Sequence, residues 1–496
     1  MPSSRGGSSV QENWKTELAL FAISAAIALV VFGNEVSHDF TSWLVQSEAL
    51  IAGDSPYGLF FDIKPPGLIT VTGVWVLILG SSDAALFLLQ VLLTFSSLSG
   101  VIRISRRLDA NTWVWVLIFV STIMLTGTYS NMPLSPELFA LPLIIWSVYF
   151  LLSSEKSSNF YYAAAALSLA GTFKETFIPT LAILLGLALA ARSVRLLGAS
   201  VSIILIVQIM VFVPIFLVNG GADYLLVLEA KSQIFEFSLA SIFLSVLRLG
   251  YTGFFHLGLA APILVSGAFL ITRVTPGVAP RILRSRELNL ALGLIASLSA
   301  GLVLQQKPLI GHYALLLQFG LLFLTITLRR AILNKRHALS VTVLLLLPGL
   351  SFGSSSASTG RVLMERSLSG NFFWTQGPAE TISTKLTGIP LDGACLHVAT
   401  GWKAGAYYHY SQLRPCSKHF LASLTLPSES SRAQLSEDLD GQLGKVIMLV
   451  EKSDSDLTEI GPMEYAESLY PADDFCLVDG EFVVVFTPQC SKLQSR

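Results

Sequence analysis

From residue 18 to residue 353 the chain is a succession of apolar runs, most of them close to the length that crosses a bilayer, with short polar connections between them. Inside hydrocarbon every backbone N–H and C=O must be satisfied within the protein, so such runs can only be helices packed as a bundle. Eleven of them stand near 18–33, 83–102, 112–126, 137–152, 160–173, 176–191, 196–218, 252–272, 288–304, 312–328 and 338–353. A further run, 67–80, is short and is expected to be partly inserted or to lie at the surface. Hydrophobic residues make up 52% of the 496 residues, charged residues only 13%, and mean hydropathy is +0.64, too apolar for a surface that water must solvate. A net charge of -1 offers no basic footprint and argues against nucleic acid as a partner.

Basic residues set the expected topology. Arg103, Arg106 and Arg107, then Arg192 and Arg195, then the stretch from Arg273 to Arg286, then Arg329, Arg330, Lys335 and Arg336 mark alternate connections as cytoplasmic. The opposite connections, 34–82, 127–136, Lys174–Glu175, 219–251, 305–311 and everything after Gly353, then lie outside. No A-x-A cleavage pattern follows the polar start, so residues 1–17 are read as a retained cytoplasmic N-terminus. The expected plan is a membrane domain over 18–353 with a first outer loop at 34–82, a linker at 354–390 and an extracytoplasmic soluble domain at 391–496.

That tail has ordinary soluble composition. Residues 445–451 and 481–487 read as strands, 404–411 as a short helix or strand, and the acidic stretch 429–440 as a solvated face or loop, giving a small α/β domain. All four cysteines, Cys395, Cys416, Cys476 and Cys490, fall in it, which points to at least one disulfide in an oxidising compartment. No C-x-x-C pair suggests zinc.

Polar chemistry concentrates after the first run, in G-D-S-P-Y-G-L-F-F-D-I-K-P-P-G over Gly53–Gly67, with Glu35, Asp39 and Glu48 just before it. Pro65 and Pro66 suit the first turn of a helix, which places Lys64 beside a helix N-terminus. Both features attract anions, and at a membrane boundary the obvious anion is the phosphate of a lipid-linked substrate. A lone lysine before a proline break is otherwise an ordinary snorkelling residue; the surrounding acids shift the balance. A carboxylate facing a partly desolvated cavity is a candidate general base, which is how Asp39 is read, and Glu137 at the start of a later span lies on the same outer side. His38, Asp39, Asp62 and Glu137 have the ligand types for a divalent cation but no strict spacing. Tyr57 is a candidate to stack on sugar or prenyl chain, against the usual role of an interfacial anchor. Lys174 and Glu175 either line the same cavity or pair with each other in a turn. Arg248, His312 and Tyr313 are further outer-side candidates, the first two for the phosphate.

Taken together, the first loop with Asp39, the Gly53–Gly67 segment, S-P-E-L-F-A-L-P-L from Ser135 and G-H-Y-A-L-L-L-Q from Gly311 resemble the membrane-embedded GT-C glycosyltransferases. The nearest type is that of protein O-mannosyltransferases and lipid A aminoarabinose transferases. The resemblance covers roughly residues 18–330 and implies an α-helical polytopic membrane protein, a GT-C-like bundle of about 11 transmembrane helices. It further implies inverting transfer of a monosaccharide from a polyprenyl-phosphate carrier to a hydroxyl of a glycan, lipid or protein acceptor at the outer face of the cell membrane. By that resemblance Asp39 matches the family's catalytic acid, Lys64 the lysine on the carrier phosphate and Glu137 the acid of the second outer loop. This chain has His38–Asp39 where mannosyltransferases often carry adjacent acids, and Ile63 where relatives often carry a polar residue. Both departures weaken any carry-over of metal ligands and of mannose specificity.

Two other classes fit a polytopic chain. A transporter or flippase predicts repeated halves and charge near the bilayer midplane, whereas the charges here gather at one side. A lipid-linked oligosaccharide ligase or polymerase relies on a large later outer loop, whereas the signal here is in the first.

Overall fold

The computed structural model describes residues 8–31, 38–59, 65–113, 115–116, 119–120, 134–153, 157–190, 192–234, 286–304, 319–320, 322–324, 327, 393–399, 404–417, 429–441, 446–450, 475–479 and 483–486. Two compact units divide the chain. The first comprises Met1–Gly33, Ser82–Met210 and Phe237–Phe373; the second comprises Asn34–Ser81, Val211–Glu236 and Trp374–Arg496.

In the first unit, helix α1 (Ser8–Val31) packs on α5 (Asp83–Arg107), which packs in turn on α6 (Pro136–Leu152) and through it on α7 (Ser157–Phe173). The ends of α5 follow from its sequence. Ser82 caps it by accepting a hydrogen bond from the Ala85 N–H at 3.4 Å, Asp83 lies in the first turn, and Arg106 and Arg107 lie in the last, so charge complements the helix dipole at both ends. Near that basic end a polar seam joins three helices. Glu17 of α1 accepts from Ser99 at 3.2 Å and lies 3.8 Å from Arg103, whose guanidinium sits 5.3 Å over the Trp146 ring of α6. The Trp146 indole N–H donates to the Ser96 carbonyl at 3.1 Å.

The run expected over 176–191 is not one helix. It begins as a 3₁₀ turn, Glu175–Thr180, and continues as α8 (Leu181–Ala190), because Pro179 cannot donate to the α-helical ladder. The turn packs against α11 (Arg286–Leu304). Among the described residues two helices are long and apolar enough to cross a membrane, α5 and α9 (Val194–Leu217). They differ in setting. The apolar window of α5 is 61% buried, so it is a bundle interior, whereas that of α9 is 17% buried and leaves Leu205, Ile206, Ile209 and Met210 exposed, a composition suited to lipid. The expected runs at 252–272 and 338–353 lie outside the described residues, and those at 112–126 and 312–328 are described only in part.

The second unit gathers segments far apart in sequence: the first loop, residues 211–236 and the tail. The first loop is largely helical, with α2 (His38–Ala52), α3 (Pro56–Leu59) and α4 (Pro66–Leu79). Gly53, at φ +86°, ends α2: its N–H donates to the Leu50 carbonyl at 3.2 Å and the Asp54 N–H to the Ala49 carbonyl at 2.9 Å, a left-handed closure that glycine adopts without strain. α4 starts at Pro66, as the double proline implies, and packs on α2 through the Ser47 hydroxyl, 2.9 Å from the Ile69 carbonyl. Its far half leaves Val74, Leu77, Ile78 and Leu79 exposed, in keeping with a surface or partly inserted helix.

The described residues of the tail form two short sheets with two helices. Strand β1 (Cys395–Ala399) runs parallel between β2 (Arg414–Pro415) and β3 (Val446–Val450), and β4 (Phe475–Asp479) pairs antiparallel with β5 (Val483–Phe486), which lies beside β3. Helix α12 (Ala404–Ser411) connects β1 to β2, and a Cys395–Cys416 disulfide closes that connection. Cys476 stands in β4, and Cys490 lies outside the described residues. The acidic stretch forms α13 (Glu429–Asp440), a solvated face on a helix whose Leu435 and Leu439 are buried.

His397 of β1 and His409 of α12 are buried, and among the described residues neither ring nitrogen of His397 has a hydrogen-bond partner. Burial pushes both imidazoles down to about 4. The unfolded chain therefore takes up these protons below pH 6.5 while the folded lobe does not. Their contribution is intact above pH 6.5 and is lost as pH falls toward 4, by about 3 kcal/mol per histidine. The thermal midpoint of the lobe, followed by near-ultraviolet circular dichroism of the full chain, should fall between pH 6.5 and 4.5, and a His397→Leu, His409→Phe double variant should lose much of that slope.

Candidate functional site

The Gly53–Gly67 segment is built from local closures. Ser55 caps α3, accepting from the Gly58 N–H at 2.9 Å, while its own hydroxyl donates to Asp223 Oδ2 at 2.7 Å. Asp223 belongs to α10 (Gly220–Ile234), so the S-P-Y-G turn is latched to a segment 168 residues away. Tyr57 is fully buried, with its ring 5.0 Å from that of Tyr224. It is a core residue of this latch and not an exposed platform. Pro65 and Pro66 open α4 with no side-chain cap, which leaves the first-turn N–H groups of α4 without an intrahelical partner. Residues 60–64, and with them Asp62 and Lys64, lie outside the described residues.

His38 and Asp39 occupy the first turn of α2. From Phe40 to Ser47 this helix is buried at every position, including Thr41, Ser42, Gln46 and Ser47. Its first turns are covered by α12 of the tail: a Cβ added at Gly405 would overlap the backbone nitrogen and hydroxyl of Ser42. Glu48, on the same helix, has its carboxyl pushed up by burial, with a hydrogen bond from Ser81 opposing the shift. Nine residues of helix, about 14 Å at 1.5 Å each, separate its backbone from that of Asp39, so the two carboxylates do not form one acid pair.

Glu137 and Lys174 belong to the first unit. Ser135 caps α6, accepting from the Leu138 N–H at 3.3 Å, and Pro136 and Glu137 form its first turn. The approach to this cap is held by Gln90 of α5, whose side-chain carbonyl accepts from the Leu134 N–H at 3.1 Å. Lys174 Nζ donates to Glu137 Oε1 at 3.0 Å, with the two side chains 15% and 3% exposed. Lys174 thus pairs across helices with Glu137. Glu175 opens the 3₁₀ turn that follows.

Among the described residues no three His, Cys, Asp or Glu side chains converge as a metal site. Arg248, His312 and Tyr313 lie outside the described residues. Asp223 and Gly405 carry no sequence signal of their own. Each is defined by a partner from a distant segment.

No protein-family model matches the sequence, and no curated protein matches it. Among solved structures, the chain is similar to ArnT from Cupriavidus metallidurans, crystallised with undecaprenyl phosphate, at TM-score 0.52 and 12% identity over 96% of this chain and 99% of that one. An Archaeoglobus fulgidus oligosaccharyltransferase tethered to an acceptor peptide aligns at TM-score 0.43 and 12% identity, over 88% of this chain and 69% of that one. The archaeal AglB, with an inhibitory peptide and dolichol-phosphate, aligns at 0.44 and 10%, over 89% and 70%. The ArnT likeness covers nearly all of both chains, and the two share a fold.

The Glu137–Lys174 pair makes a stability prediction of its own. Removing one member leaves the other charge buried and alone, at a cost of about 3–5 kcal/mol, whereas removing both does not. Lys174→Met should lower the unfolding midpoint in detergent clearly, and adding Glu137→Gln should recover most of the loss.

Proposed function

We propose that this protein is an inverting glycosyltransferase of the cell membrane, moving a monosaccharide from a polyprenyl-phosphate carrier to an acceptor hydroxyl at the outer face. The observation that carries the reading is the end-to-end likeness to a transferase crystallised with undecaprenyl phosphate, in a chain whose first loop concentrates an acid, a lysine and a proline-led helix start. The proposed architecture is a bundle of about 11 spans with the tail outside. In support, the first loop, residues 211–236 and the disulfide-bearing tail, which the charge pattern assigns largely to the outer side, fall in one unit.

The proposed reaction is a single displacement. The Asp39 carboxylate takes the proton of the acceptor hydroxyl as its oxygen bonds to the anomeric carbon, while the bond from that carbon to the phosphate oxygen breaks and the carrier leaves as polyprenyl phosphate. A phosphate leaves as a stable anion, so no general acid is needed at that end. Lys64 and the open N–H groups at the start of α4 offset its charge. Glu137, held by Lys174, is assigned a supporting electrostatic role in the first unit and not that of the base.

The test is mass spectrometry of polyprenyl-phosphate lipids from native-host cells carrying the normal protein, Asp39→Asn at equal abundance, or a deletion. One glycosylated carrier should accumulate in both mutants, and its mass gives the sugar class. An unchanged lipid pool under conditions where the protein is active rejects the donor. Lys64→Ala should raise KM for that donor by roughly tenfold, the loss of a charge-assisted phosphate contact.

A further inference from the structure

We propose that the disulfide-closed segment Cys395–Cys416 is a positioning element for the first turns of α2, with Gly405 as the contact residue; this rests on the assignment of Asp39 as the base. Three observations in the second unit carry it. The contact is backbone on backbone: the Cβ absent at Gly405 would overlap the nitrogen of Ser42 and lie 2.8 Å from its Cα, so no rotamer change relieves a larger residue. Ser42 lies three residues after Asp39, less than one helical turn. The segment itself is held at several points, since the Val398 N–H donates to the Tyr408 hydroxyl at 3.2 Å, the Cys416 N–H donates to the Leu396 carbonyl at 2.9 Å, and the disulfide joins the ends of the loop that contains α12.

A seat of this kind fixes the height and direction of a helix start without touching substrate. Misplacement of a catalytic group by about 1 Å can cost on the order of a hundredfold in rate, while carrier binding through Lys64 and α4 is left in place. The signature is a loss in kcat at unchanged KM for the donor.

The experiment uses the full chain in native-host membranes, which supply the acceptor, with the lipid that accumulates in the Asp39→Asn strain as purified donor. Gly405→Ala forces the Ser42 backbone to shift, so it should lower the unfolding midpoint somewhat and lower kcat per folded molecule at least about tenfold, with donor KM held near normal. Tyr408→Phe, which removes only the hydroxyl that accepts from Val398, should lower kcat by roughly two- to fivefold with the same KM. Gln434→Ala, on the exposed face of α13, is the control and should change neither. If Gly405→Ala fails to accumulate as folded protein, Tyr408→Phe decides. Normal kcat in the folded variants, or losses that only track lost folded protein, overturn the inference. Absence of any accumulating lipid in the Asp39→Asn strain instead rejects the underlying reaction, so the two failures are told apart.

Discussion

The second unit depends on the enclosure of α2. A helix buried on every side over two turns cannot rest on one amphipathic face, and its polar residues must find partners inside. Ser47 shows how: its hydroxyl lies 2.6 Å from the Trp43 carbonyl of its own helix and 2.9 Å from the Ile69 carbonyl of α4. Around this rod the rest of the unit is arranged, with α4 on one side, α3 at its end and α12 of the tail on another. Phe40, Trp43 and Leu44, all fully buried, supply the apolar contacts, and the small residues between them allow close approach.

The first unit has a different logic. Here the central element is α5, whose charged ends agree with its dipole and whose middle is buried among apolar neighbours. The polar contacts that decorate it are local pins: Gln90 holds the chain before α6, and the Glu17, Ser99 and Arg103 cluster joins α1 to it. Glu137 is buried, but in partnership with Lys174, and in a buried pair of that kind breaking one side costs far more than the intact pair adds.

What was legible in the sequence was whatever local rules decide. The double proline announces the start of α4, Ser135-Pro136 the start of α6, and the alternation of apolar and basic stretches the ends of α5. Two of the five described tail strands, β3 and β5, are legible as short apolar runs rich in β-branched residues, whereas β1, β2 and β4 do not stand out, and confinement of cysteine to the tail signals a disulfide, though not its pairing. The rest depends on distant partners. Thr41, Ser42, Gln46 and Ser47 look like the wet face of a surface helix until distant segments enclose them, the tail at Ser42 and α4 at Ser47. Lys174 and Glu175 read either as cavity-lining charges or as a pair in a turn, and nothing in the sequence signals Glu137, the buried carboxylate that Lys174 meets. Asp223 is an unremarked acid until Ser55 reaches it. The split of the 176–191 run was marked by Pro179, a signal outweighed by hydropathy in a count of apolar residues.

The seat of Gly405 on Ser42 also sets an order of events in synthesis. The first loop leaves the ribosome early, whereas its covering helix follows about 360 residues later, roughly 20 to 70 seconds at ordinary elongation rates. Throughout that interval the stretch of α2 around Ser42 has no tail to lie against. The nascent α2 must shelter at the lipid interface or with a chaperone, and a chain truncated before α12 would leave it there as an exposed apolar segment open to quality-control proteases.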